Sequence, residues 1–344
     1  MKVTFVTPYN IPCGIATYSE KLIKALMKSG LDMEVISNIE NHDHIKNVIT
    51  KVDSKIIHVQ HEFGLFPNTC KFVKLLKFIQ NKNKKVVVTL HTTKKSEINL
   101  IKKFSDLIIV HNDSLEYPCS DKKILTIPHP IPDITLPYPK AYYRRKYGIR
   151  EKSFVIGTTG FLISIRKIDY IVRKLSGFIA ANKDIYINLV TSSKYDIRSK
   201  AIAFKLKKAM LTSAYKKRFL DRISIGDTFV PFQEYYERLS TLDLGFSYCP
   251  EYYSSSSGSV TEMVGCRIPL VVNNAVHFQN IKKCCWNVNS IDDISNKILE
   301  IYKQKKHRDK SKAIEKEIDN KSYEKIASLY VNQVYNVLCG NKNE

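Results

Sequence analysis

The sequence lacks the features of an extracellular, membrane-spanning or disulfide-stapled protein. Its eight cysteines include no CxxC pair and no regular spacing, which predicts reduced thiols in a cytoplasmic protein. No apolar run approaches the roughly 20 residues that cross a bilayer. The N-terminal stretch MKVTFVTPYN reaches a proline too early for the apolar core of a signal peptide. We therefore expect a cytoplasmic protein.

Glycine-rich phosphate loops are also missing. Gly14 is a single glycine between the first predicted strand and the first predicted helix, so the GxGxxG dinucleotide fingerprint is absent. A lone glycine at this position is either an ordinary turn or a place where a substrate approaches the start of the helix.

Acidic residues are too few to balance the basic ones, and the net charge is +22 at pH 7. Residues 1–137 contain 19 Lys+Arg and 13 Asp+Glu, a net of +6, and residues 138–344 contain the other 36 and 20, a net of +16. The excess is either a solvated, lysine-rich surface or a site for an anionic substrate, an anionic membrane surface or nucleic acid. The basic stretch 205–222, KLKKAMLTSAYKKRFLDR, is a candidate for contact with anionic lipid.

Short apolar runs alternate with helical patterns through the 344 residues, which is the pattern of parallel sheets covered by helices. The first set of strands is predicted at 2–8, 33–37, 55–60, 85–91 and 106–112, with a helix at 17–30. After a proline-rich stretch at 132–140 a second set follows at 154–160, 185–192, 222–226, 242–248 and 269–274. We predict one domain over residues 1–137 and a second over residues 138–321. The C-terminal residues 322–344 contain a predicted helix at 322–338, which could pack against either domain.

The stretch SSSSGSVTEMVG at 254–265 places small hydroxyl residues before a predicted helix. A helix N-terminus presents unpaired N–H groups and a positive dipole end, and small side chains let a phosphate approach them. Glu262, about one turn inside, is either an acceptor for a ribose diol or the glutamate of a capping box with Ser259. Arg166 and Lys167, in the loop after the strand that ends at Gly160, suit a pyrophosphate, although an RK pair in so basic a chain is also a random expectation.

Five segments in this order resemble family 4 of the GT-B glycosyltransferases, the retaining, nucleotide-sugar-dependent enzymes of glycosyltransferase group 1. They lie across most of the chain and read GIATYSEKL, IIHVQHEFGLF, VVVTLHTT, GTTGFLISIRKIDYI and PEYYSSSSGSVTEMVGCRIPLVV. The resemblance implies an α/β fold with two Rossmann-like, doubly wound parallel-sheet domains facing across a cleft.

The same resemblance implies roles for individual residues. His91 would lie beside the transferred sugar, and Arg166 or Lys167 would neutralise the diphosphate. The donor-binding residues would be Gly14, Gly160, Ser256, Ser257, Gly258, Ser259 and Glu262, the last of them on the ribose. Family members generally stabilise the leaving diphosphate without a metal, and no DxD metal motif occurs here. We therefore expect no cofactor and no metal, with the nucleotide-sugar as co-substrate.

Two positions depart from the family pattern. The first glutamate of the E-x7-E motif is replaced by Ser254, and the arginine that often follows the glycine is replaced by Phe161. Glu251 could supply the missing carboxylate, and His61 is a second candidate for a sugar contact. These departures leave open which sugar the donor carries.

The resemblance therefore implies a hexosyl- or pentosyltransferase that moves a sugar from a nucleotide-sugar to a glycan, lipid-linked or protein-linked acceptor with retention. The basic charge leaves open whether this cytoplasmic protein also lies at the surface of an anionic membrane. A nucleic-acid glycosyltransferase that modifies hydroxylated bases is the alternative that the charge supports. A non-catalytic binding module on a degenerate GT-B scaffold is the alternative that Ser254 and Phe161 support.

Overall fold

The computed structural model describes residues 1–92, 95–112, 122–193, 196–250 and 256–340. The contacts divide the chain into two compact units, each built around one parallel sheet. The first unit contains residues 1–130, 253–258 and 321–344. The second contains residues 131–252 and 259–320.

The sheet of the first unit has six parallel strands in the order β2-β1-β3-β4-β5-β6. The strands are β1 (Lys2–Val6), β2 (Asp32–Ile36), β3 (Ile56–His61), β4 (Lys85–Leu90), β5 (Leu107–Val110) and β6 (Ile124–Thr126). The helices between them are α1 (Gly14–Lys28), α2 (His42–Ile49), α3 (Thr69–Asn81) and α4 (Lys95–Lys103). The central strands β3 and β4 are buried along almost their whole length, as expected for a parallel sheet covered on both faces.

The sheet of the second unit also has six parallel strands, in the order β12-β11-β10-β7-β8-β9. The strands are β7 (Phe154–Phe161), β8 (Ile185–Ser192), β9 (Ile223–Ile225), β10 (Leu244–Ser247), β11 (Leu270–Asn273) and β12 (Cys285–Val288). The α-helices are α5 (Lys140–Lys146), α6 (Ile168–Ala181), α7 (Ile197–Lys216), α8 (Phe232–Ser240), α9 (Gly258–Gly265), α10 (Ile291–Gln304) and α11 (Ser311–Asn320). Two doubly wound parallel sheets confirm the predicted fold class.

The segment that enters the second unit packs against the end of α9. The amide of Ile134 donates to the carbonyl of Gly265 at 3.2 Å, and a Cβ at Gly265 would lie 2.2 Å from the carbonyl oxygen of Pro132. Ile131 is buried in the core of this unit. For these reasons the contacts divide the chain at residue 130, ahead of the boundary expected at 137.

The C-terminal segment returns to the first unit. It consists of α12 (Tyr323–Leu329), one π-helical turn over Tyr330–Tyr335, and α13 (Asn336–Leu338). The rings of Tyr330 and Tyr335 are fully buried in the same core as Val3, Phe5 and Leu22. The segment therefore covers one face of the first sheet together with α1.

The residues that the structure describes include no helix with the length and apolar character required to cross a membrane.

Candidate functional site

The second sheet reverses its strand order between β7 and β10. From β7 the chain continues through β8 and β9 on one side, whereas β10, β11 and β12 extend the sheet on the other. In open α/β sheets, ligands bind beyond the carboxyl ends of the strands at this switch point. Gly160 and Phe161 end β7, and Ser247 ends β10. We therefore expect a ligand site at this edge of the sheet.

Gly160 is needed at this edge for two reasons. Its backbone φ of +103° is a conformation that residues with a side chain rarely adopt. In addition, a Cβ at this position would lie 2.3 Å from Nη1 of Arg166 and 3.2 Å from Oγ of Ser259. The structure thus brings together two of the predicted donor-binding residues, Gly160 and Ser259, with Arg166, one of the two candidates to neutralise the diphosphate.

The guanidinium of Arg166 lies folded against this glycine. Its Nη1 donates to the carbonyl of Thr159, and its Nη2 donates to Oγ of Ser247 at 3.2 Å. Burial lowers the pKa of Arg166, although a guanidinium stays charged in proteins. None of the described carboxylates forms an ion pair with it. The Cys249 thiol nearby supplies no negative charge, because burial raises its pKa to about 12. Arg166 is therefore a half-buried cation without an anionic partner in the described chain.

Lys167 occupies a different environment from its neighbour. It has a left-handed φ of +51°, forms the N-cap of α6 and is exposed to solvent. Of the two basic residues that the sequence could not separate, Arg166 is the one held at the switch point.

The serine-rich stretch leads into α9, which begins at Gly258. Ser259 is thus the second residue of the helix, whereas a capping box requires its serine immediately before the helix. Glu262 instead accepts a hydrogen bond of 2.6 Å from the phenol of Tyr236 on α8. Burial, and secondly Glu262, raise the pKa of Tyr236, so the phenol remains a donor. Ser256 is half-buried and Ser257 is buried.

Sequence reasoning missed three residues that shape this edge. Ser247 and Thr159 hold Arg166, and Tyr236 holds Glu262. The position of Ser247 at the end of a predicted strand was the available signal for the first of them. Phe161, the departure from the family pattern, packs its ring against Phe229 at 5.8 Å between centroids. Ser254 and Glu251 lie outside the described residues.

In the first unit, Gly14 is the first residue of α1. Cys13, the N-cap, makes no side-chain capping bond, and the first turn contains no acidic residue. A Cβ at Gly14 would meet no atom within 4 Å, so packing does not require a glycine here. The first turn of α1 follows β1, at the switch point of the first sheet between β1 and β3.

His91 follows β4 and belongs to a chain of hydrogen bonds that reaches the C-terminal segment. Its Nε2 lies 2.8 Å from Oε1 of Gln60, and Nε2 of Gln60 lies 3.3 Å from Nε2 of His58. Nδ1 of His58 lies 2.7 Å from the phenol of Tyr335, and its Nε2 lies 2.8 Å from Oγ1 of Thr89.

The donors and acceptors of this hydrogen-bond chain follow from the charge of His58 and from the orientation of the Gln60 amide. Burial, with a smaller effect of His111, lowers the pKa of His58 to about 3, so the ring is neutral. The amide nitrogen of Gln60 can only donate, so Nε2 of His58 accepts from Gln60 and Thr89, and Nδ1–H of His58 donates to Tyr335. Oε1 of Gln60 then accepts from Nε2–H of His91, which leaves Nδ1 of His91 as an acceptor. Burial lowers the pKa of His91 well below its ordinary value.

Tyr18 lies at the centre of three histidines. Its ring centroid is 4.9 Å from that of His91, 5.4 Å from His111 and 5.2 Å from His129. Its phenol lies 3.0 Å from the phenol of Tyr330 on the C-terminal segment. The described residues contain no group of three or more His, Cys, Asp or Glu that could hold a metal ion.

His61, the second candidate for a sugar contact, is fully buried. Its ring packs against Phe63, Phe66 and Phe72, and neither ring nitrogen has a hydrogen-bond partner. Burial lowers its pKa to about 4. These surroundings favour a packing role.

The chain resembles several solved structures over nearly its whole length. The Anabaena protein HepE in complex with UDP and glucose is 13% identical, with a TM-score of 0.71 and coverage of 97% of this chain and 99% of that one. The sucrose-phosphate synthase of Thermosynechococcus elongatus is 14% identical (TM-score 0.73, 99% of both chains), and so is a glycosyltransferase of Rickettsia africae (TM-score 0.70, 99% of both). No protein-family model matches the chain, and no curated protein matches it in sequence. At such identities the likeness shows the GT-B fold.

Proposed function

We propose that the protein is a glycosyltransferase that takes a sugar from a nucleotide-sugar donor and transfers it, with retention, to a glycan, lipid-linked or protein-linked acceptor. The observation that carries this proposal is Arg166, a half-buried cation without a carboxylate partner among the described residues, held by Thr159 and Ser247 against Gly160 at the switch point. The GT-B fold supports it, and one protein of that fold was solved with UDP and glucose bound.

The chemistry required of the site is the departure of a nucleoside diphosphate. As the bond between the anomeric carbon and the phosphate oxygen breaks, negative charge grows on the diphosphate. Arg166 and the N-terminal amides of α9 would stabilise that charge without having to reorganise, which is the usual source of such rate enhancement. No step in this scheme requires a metal or another cofactor.

Glu262 is assigned to the ribose of the donor. The phenol of Tyr236 holds one of its carboxylate oxygens, and this bond fixes the orientation of the group. A carboxylate is an acceptor for two neighbouring hydroxyl groups. The small residues Ser256, Ser257 and Gly258 lead into the same helix and are assigned to the diphosphate or the sugar.

His91 is assigned to the transferred sugar. Its Nε2–H is engaged by Gln60, so its Nδ1 is the nitrogen that would accept a hydrogen bond from a sugar hydroxyl. Because the pKa of His91 is well below its ordinary value, the ring stays neutral at pH 7 and this nitrogen remains an acceptor. Gly14 would meet the donor phosphate or the acceptor at the start of α1.

The test of the proposed function is a nucleotide-sugar panel read by thermal shift and then by turnover. A donor at 100 times its dissociation constant adds about 2.7 kcal/mol to stability. With that donor, Arg166→Ala should lower turnover by at least about a hundredfold.

The matched control is Arg173→Ala. Arg173 is an arginine of the same unit whose side chain pairs with Asp169 on α6, and its loss should leave turnover unchanged. A folded Arg166→Ala variant with ordinary turnover would place the diphosphate elsewhere. A protein that neither binds nor turns over any donor of the panel would be a non-catalytic scaffold.

A further inference from the structure

The helix α7 (Ile197–Lys216) is strongly basic and only partly packed. Residues 197–218 contain eight Lys or Arg and no Asp or Glu. The buried side chains of the helix are Ala203, Met210 and Ala214, which lie on one narrow face. The rest of its circumference is half-buried or exposed to solvent.

Large apolar side chains are exposed along the helix. Ile197 is 87% exposed, Phe204 66% and Tyr215 74%. At about 100° per residue these three positions fall within about 20° of one line along the helix, and they extend over about 27 Å. Exposed apolar side chains aligned along one side of a helix, beside charged residues, are typical of a helix that binds a membrane surface or a partner.

The lysines border this stripe. Lys205 and Lys216 lie on one side of it, Lys200 on the other, and Lys208 falls within it, all exposed. Of the eight basic residues, the described part of the chain supplies an ion-pair partner on another element only to Lys207, whose Nζ lies 2.6 Å from Asp227. The other seven have no such partner among the residues that the structure describes.

We propose that this face of α7 binds an anionic membrane surface. A helix lying in the plane of a bilayer places apolar side chains at the boundary between headgroups and acyl chains, while lysines at its sides meet anionic headgroups. This arrangement uses both the exposed apolar side chains of α7 and the lysines beside them. Duplex DNA would use only the lysines, because its phosphate backbone offers nothing to Ile197 or Phe204. The proposal does not depend on sugar transfer.

The experiment is co-sedimentation of the full chain with vesicles of phosphatidylcholine that contain 30% phosphatidylserine, beside vesicles of phosphatidylcholine alone. The protein should bind the anionic vesicles and should be released by salt. Replacing Lys205, Lys208 and Lys216 together by Gln should weaken binding roughly a hundredfold, at about fivefold per charge.

The matched control replaces Lys303, Lys312 and Lys316 by Gln. These are three exposed lysines of the same unit, on α10 and α11, and their loss changes the net charge equally. The control should bind almost as the unaltered chain does. An equal loss in both triple variants would reduce the effect to bulk charge and overturn the proposal.

A second pair of variants tests the apolar stripe. Ile197→Ser and Phe204→Ser alter exposed side chains, so the fold should be kept, and each should weaken vesicle binding tenfold or more. Unchanged binding would contradict insertion. Binding to a duplex DNA fragment through the same lysines, without vesicle binding, would identify a nucleic-acid surface instead. Self-association that Phe204→Ser abolishes, again without vesicle binding, would identify a contact between copies of the chain.

Discussion

Replacing Tyr335 by Phe removes one oxygen atom at a distance from the proposed sugar contact. The phenol of Tyr335 accepts the hydrogen bond from Nδ1–H of His58, and this bond selects the tautomer of His58. Without it, His58 is free to carry its proton on Nε2 and donate to Thr89. Gln60 must then turn its amide, its NH₂ faces His91, and Nδ1 of His91 becomes a donor.

The Tyr335→Phe substitution should have two separate effects, one on the free energy of unfolding and one on kcat/KM. His58 and Tyr335 are fully buried, so a donor left without a partner costs about 1–3 kcal/mol of unfolding free energy. The exchange of acceptor for donor at His91 removes one hydrogen bond to the sugar. A loss of about 1.4 kcal/mol from that bond is a tenfold fall in kcat/KM.

The assay is denaturant unfolding beside steady-state turnover with the donor identified by the panel. Tyr330→Phe is the matched control, because it removes a phenol from the same buried segment but leaves the bond between Tyr335 and His58 in place. Both variants should be less stable, and only Tyr335→Phe should lose turnover. Equal turnover in the two variants would show that the hydrogen-bond chain does not govern His91.

Three further changes test other parts of the structure. Gly160→Ala should lower turnover about as much as Arg166→Ala in a protein that still folds, since the added methyl group takes the place of Nη1; ordinary kinetics would separate the glycine from the site. Glu262→Gln keeps an acceptor for Tyr236 but loses the charge, so calorimetry should show roughly tenfold weaker donor binding, and full affinity would contradict the ribose assignment. Acid should destabilise the fold: the pKa of His58 is about 3 and those of His61 and His111 about 4. The unfolded chain therefore takes up these protons first, and stability present above pH ~6.5 falls as the pH drops toward 4, by up to about 1.4 kcal/mol per pH unit for each ring. The His61→Leu variant should show a shallower slope in denaturant titrations between these pH values, and an unaltered slope would refute the assignment.

The strands were predicted well from the sequence where they are long and buried. The run 185–192 is β8 residue for residue, because eight apolar-rich residues between turn signals allow few other structures. The strands β6 and β12 were not predicted, since edge strands of three and four residues carry too short a pattern. Helix α1 begins at Gly14, three residues before the predicted start at 17.

The site was less predictable because it depends on backbone conformation. Nothing in the sequence separates Arg166 from Lys167, and the choice between them comes from the left-handed φ of Lys167 and the space above Gly160. The bond from Tyr236 to Glu262 joins residues 26 positions apart on different helices, a separation without a sequence signature. The hydrogen-bond chain from Tyr335 to His91 also could not be predicted, because its residues are far apart in the sequence.

The return of the C-terminal segment to the first unit has a consequence for synthesis on the ribosome. Residue 321 is translated about 190 residues after residue 130, roughly 10–40 seconds later at ordinary rates. Until then the face of α1 and the first sheet that Tyr330 and Tyr335 later cover is exposed, while the second unit already has almost all its residues. The first unit can therefore complete its core only after this C-terminal segment has left the ribosome, and until then it exposes an apolar face of the kind that favours aggregation.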